Sequence, residues 1–356
     1  MNQLEKRNQE IIDALILKAN RLCPGSLALV GIYGSFLTGD FYDKSDLDLM
    51  IVINDDRGYR LSCTFLQDDL QVGHDIYCTT WESLEGDAMY NHPNISKLMD
   101  SRIVYCADDK YLQRLEALRH KTAALLTAPF TREDYKKAET QLMSAEASFA
   151  RVATAEAMED VYFYMARFLT QVENAIAMLN KRYFRYGVKR VFEEIEAMDR
   201  KPKDYRKLAE AALEATSPEA ARQHLTALLA EVHPVFKAAE VTVAPQKQPP
   251  TADALRGTYE EMFSNWRNKI HAAAATGDRH LALANIHATQ EMMNEIAAQT
   301  KIGDYSVMTC YDGSDLAKTA QNYDEVLNNY LREYEKARLP LRCYPDIDAF
   351  IEDYLK

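Results

Sequence analysis

The chain has 356 residues, 47% of them hydrophobic, and a formal charge of −12 from 42 basic and 54 acidic side chains. That is enough apolar material for two domains with proper cores. No run approaches a membrane span, and the acidic balance argues against holding a nucleic-acid backbone, so neither membrane nor nucleic acid is an expected partner. The six cysteines, at 23, 63, 78, 106, 310 and 343, show no Cys-x-x-Cys and no repeated spacing. Neither zinc nor a disulfide framework is indicated, and a cytoplasmic location fits best.

Taken in order, residues 1–22 space Leu4, Ile11, Ile12, Leu15 and Leu22 on one helical stripe and carry acidic residues, unlike a secretory signal. Residues 28–33 form an apolar run long enough for a buried strand, and Gly34-Ser35 then opens a turn or helix start. Asp46 and Asp48 head a second apolar run ending at Ile53, and Asp55-Asp56 read as the turn after it. Asp68-Asp69 read as the turn before a strand over 70–79 that carries Asp75. Asn91-His92-Pro93 breaks the pattern; a short helix at 95–99, an edge strand at 103–106 and a helix at 108–126 follow. From Thr131 the signal is almost wholly helical, with amphipathic stretches at 132–157, 159–182, 187–198, 218–232, 252–275, 281–299, 316–337 and 347–355. The Pro-rich connection 243–253 interrupts them. The expected fold class is α+β: residues 1–128 a mixed sheet flanked by helices, and 129–356 an all-helical half, divided at 243–253 if it is divided at all.

The chemistry concentrates in VGIYGSFLTGDFYDKSDLDLMIV, residues 30–52. Backbone N–H groups at a helix start point at an anion, and a residue without a side chain lets a phosphate approach closely, so Gly34-Ser35 reads as a phosphate corner, with the Ser35 hydroxyl as a further donor. Residues two apart on a strand share a face, which puts Asp46 beside Asp48. Two such carboxylates repel unless a cation sits between them, and a divalent metal resolves this; magnesium suits hard oxygen ligands and a triphosphate. Asp75 is the third ligand expected, with Asp68 and Asp69 competing for the role.

These residues, with Gly39 in the spacer and the order Ser45-Asp46-Leu47-Asp48-Leu49, resemble the nucleotidyltransferase superfamily with a DNA polymerase β type of core. The similarity is to its small-molecule branch, which includes the aminoglycoside and lincosamide adenylyltransferases, and it covers roughly the first third of the chain. The resemblance implies two magnesium ions held by Asp46, Asp48 and Asp75, ATP or another NTP as co-substrate, attack on the α-phosphorus and release of pyrophosphate. It implies a small-molecule hydroxyl acceptor, for which an acidic cleft would favour a cationic antibiotic. The protein would act as a monomer or homodimer. Lys44 would neutralise phosphate charge. A Glu on the first helices after the core would serve as general base; Glu146 is the first choice, then Glu139 and Glu173. The basic segment around Lys181, Arg182, Arg185, Lys189 and Arg190 resembles the nucleotide-side helix–turn–helix of relatives, with Arg182 or Lys189 suited to the triphosphate. The rivals are an adenylyltransferase acting on a protein partner, and a catalytically silent nucleotide-binding module.

Overall fold

The computed structural model describes residues 3–42 and 44–356, which form two compact units, 1–244 and 245–356. The division falls inside the Pro-rich connection. Unit 1 begins with α1 (Gln3–Leu22), β1 (Leu27–Ile32), the one-turn α2 (Ser35–Thr38) and β2 (Leu49–Ile53). A hairpin of β3 (Cys63–Gln67) and β4 (Val72–Ile76) follows, then β5 (Cys78–Thr80), α3 (Trp81–Asp87), α4 (Ser96–Asp100), β6 (Arg102–Cys106) and α5 (Asp109–Thr127). The main sheet has the order β5-β2-β1-β6, parallel only between β2 and β5, so it is mixed.

Every residue of β1 and β2 is buried, because helices cover both faces of this sheet. On one face Ile12, Leu15 and Ala19 of α1 meet Val30, Ile32, Leu49 and Ile51. On the other, Leu84, Leu98 and Leu115 of α3, α4 and α5 meet Leu29, Met50 and Val52. That two-sided burial is why both strands read as unbroken apolar runs.

The hairpin forms a second, two-stranded sheet in which Thr64 pairs with Asp75 and Phe65 with His74. β3 gives no inward alternation, since four of its five residues are exposed and the fifth is half-buried. It is a strand because β4 pairs with it. The run expected over 70–79 therefore divides into β4 in one sheet and β5 in the other, with Tyr77 between them.

The rest of unit 1 is a helical bundle: α6 (Arg132–Thr154), α7 (Met158–Leu179), α8 (Val191–Glu196), α9 (Tyr205–Leu213) and α10 (Pro218–Val243). A capping box between Thr131 and Asp134 starts α6. The helix expected over 218–232 runs on through Pro234, because Phe236 and Ala239 continue the buried stripe of Leu225, Leu229 and Val232. Unit 2 holds α11 (Ala252–Leu255), α12 (Thr258–Glu261), α13 (Asn268–Thr276), α14 (Arg279–Gln299), α15 (Leu316–Lys336) and α16 (Ile347–Tyr354). The single helix expected over 252–275 is broken by Gly257 at φ +83°, and its middle, Met262–Arg267, is π-helical. Tyr323, Tyr330 and Tyr334 are buried here because each hydroxyl finds a partner: Thr289, Thr258 and the Leu255 carbonyl. Among the described residues no helix is long and apolar enough to cross a membrane.

Candidate active site

β1 and β2 lie antiparallel with Ile32 opposite Leu49, and Tyr33 N–H donates to the Asp48 carbonyl at 3.1 Å, one residue beyond the ladder. The chain then turns at Gly34, at φ 71° and ψ −148°, a region essentially confined to glycine. A Cβ there would sit 2.0 Å from Asp48 Oδ2. The carboxylate thus lies against the bare Gly34 backbone, where the neighbouring Ser35 N–H favours its ionised form. Gly39, at φ 81°, ends the single turn.

Exposure alternates along Ser45, Asp46, Leu47 and Asp48: Ser45 and Leu47 are buried, Asp46 is exposed and Asp48 half-buried. Asp46 and Asp48 therefore share a face. Burial first, then the charge of Asp46, raises the Asp48 pKa; Ser35 N–H and Lys189 oppose this. Beneath the pair lies Arg7 of α1, 8% exposed, which donates to the Ser45 carbonyl at 2.8 Å and acts electrostatically on Asp46. Burial lowers the Arg7 pKa and Asp46 pushes it back up. His74, buried on β4, also senses Arg7 and Asp46; burial holds its pKa down.

Asp75 is exposed and accepts from Thr64 Oγ1 at 3.1 Å across the hairpin. The β2–β5 ladder begins only at Ile51 and Cys78, so Asp75 stands three residues before the first paired position of that ladder. Among the described residues no three His, Cys, Asp or Glu side chains are grouped so that they could hold a metal ion. Asp46 and Asp48 by themselves suit a hard divalent cation, which would relieve the repulsion that raises the Asp48 pKa.

From the helical part, Lys189 reaches the loop between α2 and β2. Its Nζ donates to the Asp40 carbonyl at 3.3 Å, lies 5.3 Å from the Tyr42 ring centre and favours ionised Asp48. Arg190 pairs with Asp40 at 3.7 Å and stacks on Tyr186 at 4.1 Å. Arg182 is exposed; its carbonyl accepts from Tyr90 at 2.6 Å, and its side chain borders a separate cleft with Tyr183 and Arg185. Lys44 is exposed. Glu146 bonds His233 Nε2 at 2.8 Å in a groove between α6 and α10, and Glu139 accepts from Tyr135 at 3.1 Å beside it. Glu173 is bonded by Tyr205 at 3.1 Å, and burial raises its pKa to about 7. The structure thus joins Gly34, Ser35, Asp46, Asp48 and Lys189, and none of the hydrogen bonds of Glu146, Glu139 or Glu173 goes to these residues.

Two tyrosines escaped the sequence reading. The Tyr33 and Tyr77 hydroxyls lie 3.2 Å apart, and burial, Tyr77, Asp48 and Asp46 all raise the Tyr33 pKa. The signal was present in their positions, directly before Gly34 and two residues after Asp75, between β4 and β5.

No family model and no curated protein matches the sequence. Among solved structures, the chain is similar to a nucleotidyltransferase-like protein from Exiguobacterium sibiricum 255-15, with 11% identity over 91% of each chain and a TM-score of 0.33. A similarity of that size decides neither fold nor activity.

Proposed function

We propose that the protein is a metal-dependent nucleotidyltransferase that moves a nucleoside monophosphate, AMP from MgATP in the first instance, onto a hydroxyl of a small molecule. The observation that carries this reading is the seating of Asp48 against Gly34, with Asp46 on the same face and Lys189 brought in from a distant segment. Two adjacent carboxylates beside a glycine corner and a lysine make an arrangement suited to a cation and a polyphosphate.

When bound, magnesium would neutralise phosphate charge and polarise the α-phosphate, with Asp46 and Asp48 as its ligands; Asp75 enters as a third on the resemblance alone, since it is bonded to Thr64 and grouped with no other acids among the described residues. Lys189 and the Ser35 hydroxyl would bind the β- and γ-phosphates, with Lys44 as a further cation along the nucleotide; Arg182, expected to join them, borders the separate cleft instead. The acceptor oxygen forms a bond to the α-phosphorus while the bond from that phosphorus to the β-bridging oxygen breaks. Pyrophosphate departs with the electron pair, and the hydroxyl proton passes to a carboxylate. Glu146 takes that role on the resemblance alone.

The acceptor panel suggested by the resemblance contains aminoglycoside and lincosamide antibiotics. Pyrophosphate release with MgATP and that panel, in wild type and Asp46→Asn, tests the reading; release that survives the substitution refutes it. The hydrogen bond that ties Asp75 to Thr64, away from any three-acid group, favours a second reading, a nucleotide-binding module without turnover. Tight MgATP binding with no release on any acceptor would select it.

A further inference from the structure

A cleft of about 780 Å³ opens beside the candidate site, between α4 and α5 on one side and residues 180–198 on the other. Its position is fixed by the sheet. Asp100, which ends α4, comes just before β6, and Arg102 of β6 pairs with Ile32, so the Met99 edge lies at the same end of the sheet as Tyr33 and Asp48. Tyr186 on the cleft wall stacks on Arg190, which holds Asp40 in the loop leading to Asp46.

The lining combines two chemistries. Met99, Leu126 and Met198 give an apolar floor, while Arg182 and Arg185 bring positive charge. Other charged groups at the wall are already engaged. Lys181 donates to the Ala128 carbonyl and to Asp134, and Glu194 accepts from the backbone N–H groups of Arg185 and Tyr186. Arg185 has a long, 3.9 Å pairing with Asp100 and lies 6.0 Å from the Tyr186 ring centre, and among the described residues the Arg182 guanidinium has no partner. Pockets of this size with an apolar surface and a few convergent polar groups suit small organic ligands.

We propose that this cleft binds an amphipathic organic anion and, resting on the transferase reading above, that it is the acceptor subsite. An apolar ring or chain lies on Met99, Leu126 and Met198, and an anionic group meets Arg182 and Arg185. The acceptor class is then set by the charge of the cleft rather than by the −12 of the whole chain, and it is anionic rather than aminoglycoside-like.

The test uses 8-anilinonaphthalene-1-sulfonate, an apolar fluorescent anion, on the full chain without metal or nucleotide. Saturable binding is expected, with affinity reduced tenfold or more in the surface double variant Arg182→Glu/Arg185→Glu and in Met198→Trp, which fills the floor. Circular dichroism shows whether each variant is folded. Neutral N-phenyl-1-naphthylamine should bind at least tenfold more weakly than the anion. Absence of saturable binding, equal binding of the neutral dye, or no effect of the folded charge-reversed variant overturns the proposal. Displacement of the dye by MgATP overturns the acceptor assignment, because the cleft would then belong to the nucleotide. Asp46→Asn should keep dye binding. If it does while no acceptor supports pyrophosphate release, the transferase reading fails and the cleft stands as an anion site; turnover of a cationic antibiotic without dye binding gives the reverse.

Discussion

Gly34→Ala isolates the contact on which the candidate site depends. The added Cβ would lie 2.0 Å from Asp48 Oδ2 and 2.7 Å from its Cγ, at a backbone φ of 71° and ψ of −148°. Relief requires the carboxylate to move by about 1 Å to reach even a tight contact, and the strained backbone adds about 1–3 kcal/mol. A displacement of about 1 Å at a reacting centre costs on the order of 100-fold in rate. Gly39 supplies the matched control: its φ is 81°, yet a Cβ there meets nothing within 4 Å. Gly39→Ala should cost about 1 kcal/mol in stability from the left-handed backbone alone, with Asp48 undisturbed. Urea denaturation of both variants, followed by pyrophosphate release under saturating MgATP, separates strain from displacement. Gly34→Ala is expected to be the less stable and to lose about 100-fold in turnover, while Gly39→Ala keeps turnover within a few-fold. Equal losses in the two variants, or a fully active Gly34→Ala, would refute the argument that Asp48 is held by the absence of a side chain.

Asp46→Asn should abolish magnesium-dependent pyrophosphate release while leaving the melting temperature near that of wild type, since the side chain is exposed; calorimetry alongside the release assay checks both. Lys189→Ala removes a charged donor near Asp48 and should raise KM for MgATP about tenfold or more, in line with about 1.5–3 kcal/mol for a charge-assisted hydrogen bond, with kcat changed much less. Glu146→Gln should retain nucleotide binding and lose most turnover if Glu146 is the base; unchanged turnover assigns that role elsewhere. Burial raises the Glu173 pKa from 4.5 to about 7, so the folded state holds a proton that the unfolded chain has released across this window. Stability should therefore fall as pH rises from about 4.5 to about 7 and level off above, by up to about 3 kcal/mol at about 1.4 kcal/mol per unit. Glu173→Gln keeps an acceptor for Tyr205 and should match wild type near pH 4.5 but exceed it near pH 8, measured by urea midpoints. A difference independent of pH would show that Glu173 stays ionised in the folded state.

What could be read from the chain follows from which interactions are local. β1 and β2 were legible because burial on both faces leaves continuous apolar runs. The shared face of Asp46 and Asp48 was legible because alternation along a strand needs no tertiary information. The Lys189 contact was visible only as basic charge in an acidic chain, since its target, the Asp40 carbonyl, lies 149 positions away. Arg7 could not be found this way: an arginine at the start of an amphipathic helix reads as solvated, and its burial depends on the Ser45 carbonyl arriving from another segment. β3 was missed because it is exposed and is held by β4 alone, and the Tyr33–Tyr77 meeting depends on the hairpin that brings the chain back beside β2.

The loop that carries Asp46 is fixed from two sides, and this bears on what constitutes the functional unit. From below, Arg7 fastens the Ser45 carbonyl; from the helical part, Lys189 and Arg190 fasten Asp40. Hydrogen bonds to charged groups contribute about 1.5–3 kcal/mol each when well shielded. The buried Arg7 bond stands near the upper end of that range, and the exposed Lys189 and half-buried Arg190 contacts lie below it because water screens them. Residues 1–128 hold the acids, the glycine corner and Arg7, but neither Lys189 nor Arg190. In such a piece Asp48 would keep the repulsion from Asp46 and lose the lysine that opposes it, so its carboxyl would be still harder to ionise. The sheet and the segment carrying Lys189 and Arg190 thus form one electrostatic unit around Asp48, within the compact body that ends at Ala244.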